Sequence, residues 1–311
     1  MGNKDITDFN EAQLRKRAAS KEELNICLTN NYAFQKIFKN EEIVKGFLIA
    51  LLHLKETDIE ELEVTDPFVE GEVKEEKEGI LDVKLILNGG KKINIEMQNT
   101  YQEDWAERSL FYNCRMFTEG LKKGESYYEL PPCIHVGILD FNYLKSPGFY
   151  HRILLKDDTT GELYSSKFQF HVIELSKIAT TKGKARKQDL YKWAKLISAS
   201  TWEEIREESE GNHYMEKVRD EMIKMSRDES ERYLYLRKQM AIRDKVSQLR
   251  SAENRGRREG REEGRKQGEV LKLITMVKKK IENGDSVAKI ADDLLEDADV
   301  IEKIYDIVKE N

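Results

Sequence analysis

A chain of 311 residues, 39% of them apolar, can bury a sizeable core, and its length argues for one larger domain with an appendage or two smaller ones. The 36% charged residues sum to a net charge of −6, a mixed-sign surface that excludes a globally basic nucleic-acid binder and makes any affinity for DNA a local matter. The longest apolar run, Gly46 to Leu54, is far short of the roughly 20 residues of a membrane span, and charge from Lys4 onward does not read as a secretory signal, so a cytoplasmic protein without membrane contact is expected.

Residues 1–20 are polar. From Asn30 to Leu54, Phe34, Ile37, Phe38, Val44, Phe47, Leu48, Leu51 and Leu52 are spaced as an amphipathic pair of helices with a break near Asn40. After the acidic stretch VEGEVKEEKEG, strands are expected at about 63–68, 79–87 and 92–98, the last two joined by a hairpin at Asn88-Gly89-Gly90. A helix follows with Trp105, Leu110, Cys114, Phe117 and Leu121 on one face and Gly124 as its C-cap. Cys133 to Phe141 reads as a central strand buried on both faces, and two further strands, 150–155 and 168–173, flank the turn DDTTGE. From Lys187 the pattern is helical nearly to the end. Cys27, Cys114 and Cys133 lack CxxC spacing and suit small core residues in a reducing compartment, and the five dispersed histidines suggest no zinc site.

Two strands carry a carboxylate each. Alternation sends Asp82 and Lys84 to one face of their strand, and Asn94, Glu96 and Gln98 to one face of the next. A three-residue Asn88-Gly89-Gly90 loop pairs Leu87 with Lys91 and sets Asp82 opposite Glu96, whereas a two-residue Gly89-Gly90 turn sends them to opposite faces. Two carboxylates within about 5 Å repel unless a cation or proton lies between them. Such hard oxygen ligands suit Mg²⁺ or Mn²⁺; the alternative is a solvated acidic face neutralised by Lys84.

The succession NNYAFQKIFKNEE, GILDVKLI, INIEMQ and ERSLFYNCRMFTEGLKKGESYYELPPCIHVGILDF, within about residues 27–145, resembles the Rpn-type recombination-promoting nucleases, or transposases of the PD-(D/E)XK nuclease superfamily. The resemblance implies an α/β (α+β), restriction-endonuclease-like core, a mixed central sheet flanked by helices in the order α-β-β-β-α-β, with a long helical C-terminal extension. It further implies a metal-dependent DNA endonuclease linked to recombination, mobile elements or phage defence, in which Asp82 and Glu96 bind Mg²⁺ (or Mn²⁺). Gln98 stands where the superfamily has its motif lysine, and glutamine positions water or phosphate only by hydrogen bonds. Lys84 either supplies the missing charge or merely neutralises. Asn31 and Gln35 stand in a helix where a carboxylate would assist the metal; Asn31 either orients a metal-bound water or caps the helix. Arg108 and Tyr112, one turn apart, either hold a phosphate or pack on each other. Asp140 matches the family pattern as a structural end-of-strand residue. The amides at 31 and 98 support the other class of function, a catalytically degenerate nucleic-acid-binding or interaction protein on the same fold.

Expected boundaries are a core over 21–180, a helical extension over 181–254, a Gly/Arg/Glu-rich connector over 255–268 and a small helical module over 269–311. Between Arg237 and Gly268, eleven Lys/Arg stand against five Asp/Glu, so Arg255, Arg257, Arg258, Arg261 and Arg265 are candidate DNA contacts. Gly256, Gly260, Gly264 and Gly268 lie four apart and each costs a helix roughly 1 kcal/mol relative to alanine. The stretch is therefore either a flexible charged connector or a helix that approaches DNA or another helix closely, including a homo-oligomer formed through the tail.

Overall fold

The computed structural model of the chain describes residues 26–65, 68–69, 79–80, 82–119, 124 and 126–310. The polar segment 1–20 and most of the acidic stretch before Gly79 lie outside the described residues. Two helices open the described chain, α1 (Asn31–Phe38) and α2 (Glu41–Leu52). Asn30 and Asn40 start them, each side-chain oxygen accepting from two backbone N–H groups of the first turn that have no partner within the helix. The cap of α1 is thus Asn30, not Asn31, which is the first residue inside the helix.

Strands β1 (Leu62–Thr65), β2 (Phe68–Val69), β3 (Gly79–Ile80), β4 (Val83–Leu87) and β5 (Lys91–Gln98) follow, then α3 (Trp105–Thr118), β6 (Cys133–Leu139), β7 (Tyr150–Lys156) and β8 (Leu163–Glu174). Six of the strands form one sheet in the order β1-β4-β5-β6-β8-β7, and β2 pairs separately with β3. The sheet is mixed: β1, β4 and β5 are antiparallel, β5, β6 and β8 run parallel, and β7 returns antiparallel on the edge. Helix α3 makes the crossover between β5 and β6 that a parallel pair requires. The expected order α-β-β-β-α-β is present, with the second hairpin outside it.

Period-two alternation gives the sheet two unlike faces. Ile93, Ile95, Met97, Ile134, Val136 and Ile138 join Phe34, Phe38 and Phe47 in one large apolar core. That core also takes in Trp193, Ile205, Met215 and Met222 from α4 (Asp189–Ser198), α5 (Trp202–Ser209) and α6 (His213–Arg227), so these helices pack on the same core as the sheet across the boundary expected at 180. The other face is covered by α3. Its buried side is Trp105, Ser109, Tyr112, Asn113 and Met116, with Phe117 half-buried beside them; Leu110 and Cys114 are exposed, which corrects the expected face at those two positions, and Leu121 lies outside the described residues. Polar residues can serve there because they are bonded: Asn113 donates to Gln169 O and accepts from the Cys133 thiol. The helix ends at Thr118 rather than at Gly124, and Lys92 donates to two carbonyls at its C-terminal end, those of Met116 and Glu119.

The described fold divides into two compact units, up to Met240 and from Ala241 onward. Helix α7 (Glu229–Glu282) runs through the division without interruption, so residues 255–268 are helical, where a connector was one expectation. Exposed pairs one turn apart, Glu253 with Arg257, Glu262 with Lys266 and Arg265 with Glu269, offset a little of the glycine cost. In the second unit the end of α7 packs with α8 (Val287–Leu294) and α9 (Ala298–Glu310) around Val277, Ile290 and Ile301. Gly284 adopts φ 83 and stops α7, as its position suggested.

Candidate active site

The site begins with a turn. Asn88, Gly89 and Gly90 all have positive φ (27, 62 and 88), a conformation that glycine tolerates freely and asparagine better than most residues. They form the three-residue loop, Leu87 pairs with Lys91, and the ladder continues to Val83 opposite Ile95. Asp82, one residue before β4, therefore comes alongside Glu96 on β5.

Asp82 is buried and held from two sides. Its Oδ2 accepts from Met97 N–H at 2.8 Å, and its Oδ1 accepts from the Gln35 amide of α1 at 2.8 Å. Burial and then the nearby Glu96 charge push its pKa up to about 6, against the opposing pull of those two hydrogen bonds and of Arg108.

Glu96 is only 2% exposed. Its Oε1 accepts from Gln98 Nε2 at 2.6 Å and from Arg108 Nε and Nη2 at 3.1 and 2.7 Å. Its Oε2 is buried and has no hydrogen-bond partner among the described residues. His135 Nε2 stands 3.6 Å from it. His135 lies on β6 and is fully buried, which lowers its pKa and keeps the ring neutral. The Asn94 amide nitrogen stands 3.1 Å from Nδ1, and Nε2 faces Glu96. Beside this pair, Gly137 is the β6 neighbour of Glu96, and a Cβ there would stand 2.3 Å from Cζ2 of Trp105; glycine is what lets the indole lie on the strand.

The remaining sequence candidates divide. Gln98 joins the cluster through Glu96 and also accepts from Gln102 Nε2 at 3.4 Å. Arg108 does two things at once: its guanidinium binds Glu96 and lies 5.0 Å over the Tyr112 ring. Asn31 lies one turn before Gln35 on the same helix face, and its Oδ1 is buried without a partner among the described residues. Lys84 is not brought to the carboxylates, because its ammonium pairs at 2.8 Å with Glu119 past the end of α3. Asp140 is exposed just past β6, and its backbone N–H donates to Gln98 O. Arg255, Arg257, Arg258, Arg261 and Arg265 all lie exposed on α7 in the second unit. His135 was missed because it was read with the dispersed histidines. Its signal was an imidazole two residues from a glycine within an otherwise apolar strand.

Whether such a cluster suits a divalent ion is answered by its donors. The two carboxylates, with Glu96 Oε2 buried and unpartnered among the described residues, and the likewise unpartnered Asn31 Oδ1 one helical turn from Gln35, are hard oxygen donors of the kind Mg²⁺ or Mn²⁺ takes, its other positions left to water and phosphate. Among the described residues no group of three or more His, Cys, Asp or Glu side chains is arranged to hold a metal without such help. No helix among the described residues is long and apolar enough to cross a membrane.

Comparison with known proteins agrees with this geometry at the level of family. Neither the curated proteins nor the solved structures gave a match. A family profile described as PD-(D/E)XK nuclease family transposase matches residues 28–252, which include both carboxylate strands, α3, β6 and the start of α7. The mixed sheet flanked by helices, with its carboxylates just before β4 and on β5, is the restriction-endonuclease-like α/β fold, and the chain belongs to the PD-(D/E)XK nuclease family transposases.

Proposed function

We propose that the protein is a metal-dependent endodeoxyribonuclease that hydrolyses phosphodiester bonds, leaving a 5′-phosphate and a 3′-hydroxyl, and that it acts in the cytoplasm in recombination, element mobility or phage defence. The observation that carries this reading is the meeting of Asp82 and Glu96 in one buried cluster in which Glu96 Oε2 accepts no hydrogen bond among the described residues. A bound Mg²⁺ or Mn²⁺ would neutralise phosphate charge and make water more acidic. Asp82, Glu96 and the Asn31 carbonyl oxygen are the residues that would hold it. Met97 N–H and Gln35 fix the orientation of Asp82, and Gln98 and Arg108 hold Glu96 through its Oε1. Gln98 keeps an N–H and a carbonyl oxygen with which to orient an attacking water or a phosphate oxygen. Arg108 keeps donors beyond the two that Glu96 takes, and these suit the phosphate next to the scissile bond. The arginines of α7 would add contacts to the DNA backbone.

The test is plasmid nicking in Mg²⁺ or Mn²⁺ beside calorimetric titration of the ion. Asp82→Asn and Glu96→Gln should each lower cleavage by at least about a hundredfold and weaken ion binding, with thermal stability unchanged or raised because like-charge repulsion is relieved. A second reading, a degenerate nucleic-acid-binding protein on the same fold, is favoured by the Arg108 guanidinium already paired with Glu96 and by amides at 31, 35 and 98. Folded wild-type protein that binds no divalent ion and cuts nothing would establish it.

A further inference from the structure

The loops after β5 and β6 leave the sheet at the carboxyl ends of neighbouring parallel strands, the end where α/β sheets present ligands. Both loops bring aromatic residues. Trp105 lies buried against Gly137 beside Glu96, and its ring stands 5.2 Å from that of Tyr143. Tyr143 is 6.4 Å from Tyr101, and Tyr101 meets Phe141 edge to face at 5.4 Å. The row thus leads outward from the carboxylate cluster to Tyr101, which is 60% exposed.

The row is fixed in place. The Tyr143 hydroxyl donates to Glu103 O and accepts from Ala106 N–H, and the backbone N–H groups of Tyr143 and Leu144 donate to the buried carboxylate of Glu174. Asp140 N–H donates to Gln98 O, so Phe141 follows directly from a residue bonded to the candidate site. Tyr101 itself is three residues beyond Gln98. An exposed aromatic ring braced by its neighbours costs little entropy to use as a contact.

Charge around this ring argues for what it contacts. Glu103, Asp104 and Asp140 are exposed in the same two loops against the exposed Lys145, an acidic excess that does not favour a DNA backbone here. The face of a base carries no such penalty, and stacking on tyrosine is tolerant of sequence. A base inside an intact duplex already has both faces covered.

We propose that Tyr101, backed by Phe141 and Tyr143, is a stacking subsite for an unpaired nucleobase next to the scissile phosphate, so that the preferred substrate is single-stranded DNA or a duplex with a flap or frayed end. The inference rests on the nuclease reading, whose site supplies the phosphate position, and deepens it by naming the substrate class.

The experiment uses the full chain with Ca²⁺ in place of Mg²⁺, and measures binding of a single-stranded oligonucleotide carrying 2-aminopurine and of a blunt hairpin duplex of equal length. Wild type and Tyr101→Phe should bind the single strand at least about tenfold more tightly than Tyr101→Ala and quench its fluorescence, whereas all three should bind the blunt duplex alike. The Tyr101-dependent factor should also be nearly independent of salt, since no phosphate charge is neutralised there. Equal single-strand affinity for wild type and Tyr101→Ala overturns the proposal, and so does an equal loss on both substrates. Plasmid cleavage by wild type in Mn²⁺, run in parallel, judges the nuclease reading separately. Quenching that depends on Tyr101 without any cleavage would sink that reading and keep the aromatic subsite; cleavage without such quenching would do the reverse.

Discussion

At the scale of single residues, the carboxylate pair is held by neutral amides and one guanidinium. Gln35 fixes Asp82 by donating a hydrogen bond, without adding a charge to the site. Asn31 has a buried oxygen without a partner among the described residues, one turn before Gln35 on the same helix face. Asn31→Asp should therefore tighten Mn²⁺ binding by about tenfold and lower the melting temperature in EDTA, because a third carboxylate then crowds the empty cluster. Unchanged affinity would mean that the side chain does not reach the ion. Lys84 provides the opposite test. Its pairing with Glu119 ties β4 to the end of α3, so Lys84→Met should cost about 1 kcal/mol in urea unfolding and leave cleavage per folded molecule intact. A hundredfold fall in cleavage with the fold preserved would return the ammonium to the chemistry.

At the scale of elements, what was legible depended on how local the governing contacts were. The β4–β5 register could be read because alternation and the Asn-Gly-Gly loop lie within a few residues of each other, and they fix Asp82 beside Glu96. The buried face of α3 was misread because it turns on Ser109 and Asn113, and the partners of Asn113, Gln169 and Cys133, are far away in sequence. His135 escaped for the same reason: nothing near it in the chain reveals that β6 runs parallel to β5 and sets it beside Asn94. Helix α7 defied its glycines because propensity is a weak prior against 54 residues with no proline. The seating of α3 can be probed directly. In Gly137→Ala the new methyl meets the Trp105 ring at a distance no real contact shows, so the helix must shift, at a cost of about 1–3 kcal/mol. The double change with Trp105→Leu should recover part of that loss in urea unfolding; strict additivity of the two would place the strain elsewhere.

At the scale of the whole molecule, two buried groups set opposing responses to acid. His171 donates to or accepts from the Tyr150 hydroxyl at 2.8 Å, and burial, with Arg152 and His53 nearby, brings its pKa down to about 4. Between its ordinary value and about 4 the unfolded chain holds a proton that the folded chain does not, so stability falls as pH falls, by roughly 3 kcal/mol over that window. Asp82 runs the other way. With its pKa raised to about 6, the folded chain holds a proton that the unfolded chain lacks, and stability rises by a similar amount, about 3 kcal/mol, as pH drops from about 6 towards the ordinary aspartate value. In EDTA the two contributions nearly cancel. Asp82→Asn should therefore lose stability steeply on acidification below about pH 6, whereas His171→Gln should gain it, as melts across that range would show; parallel slopes for both variants would refute the assignment. The division at Met240 gives the other test at this scale. Removing everything after Met240 should leave the first unit folded and flatten the salt dependence of DNA binding, since the basic stretch of α7 from Arg243 onward is lost. An unchanged salt slope would assign the tail to assembly.

The indole seated on Gly137 also makes the cluster optically visible. Trp105 is one of three tryptophans, and its ring centre is 6.2 Å from that of His135, the neutral imidazole beside Glu96. A divalent ion arriving at Glu96 changes the electric field at that chromophore, whereas Trp193 is enclosed by Phe38 and Phe47 in the apolar core on the other face. Emission should therefore shift as Mn²⁺ or Mg²⁺ is added, and the shift should vanish in Trp105→Phe, giving an occupancy readout for every variant above that requires neither DNA nor turnover.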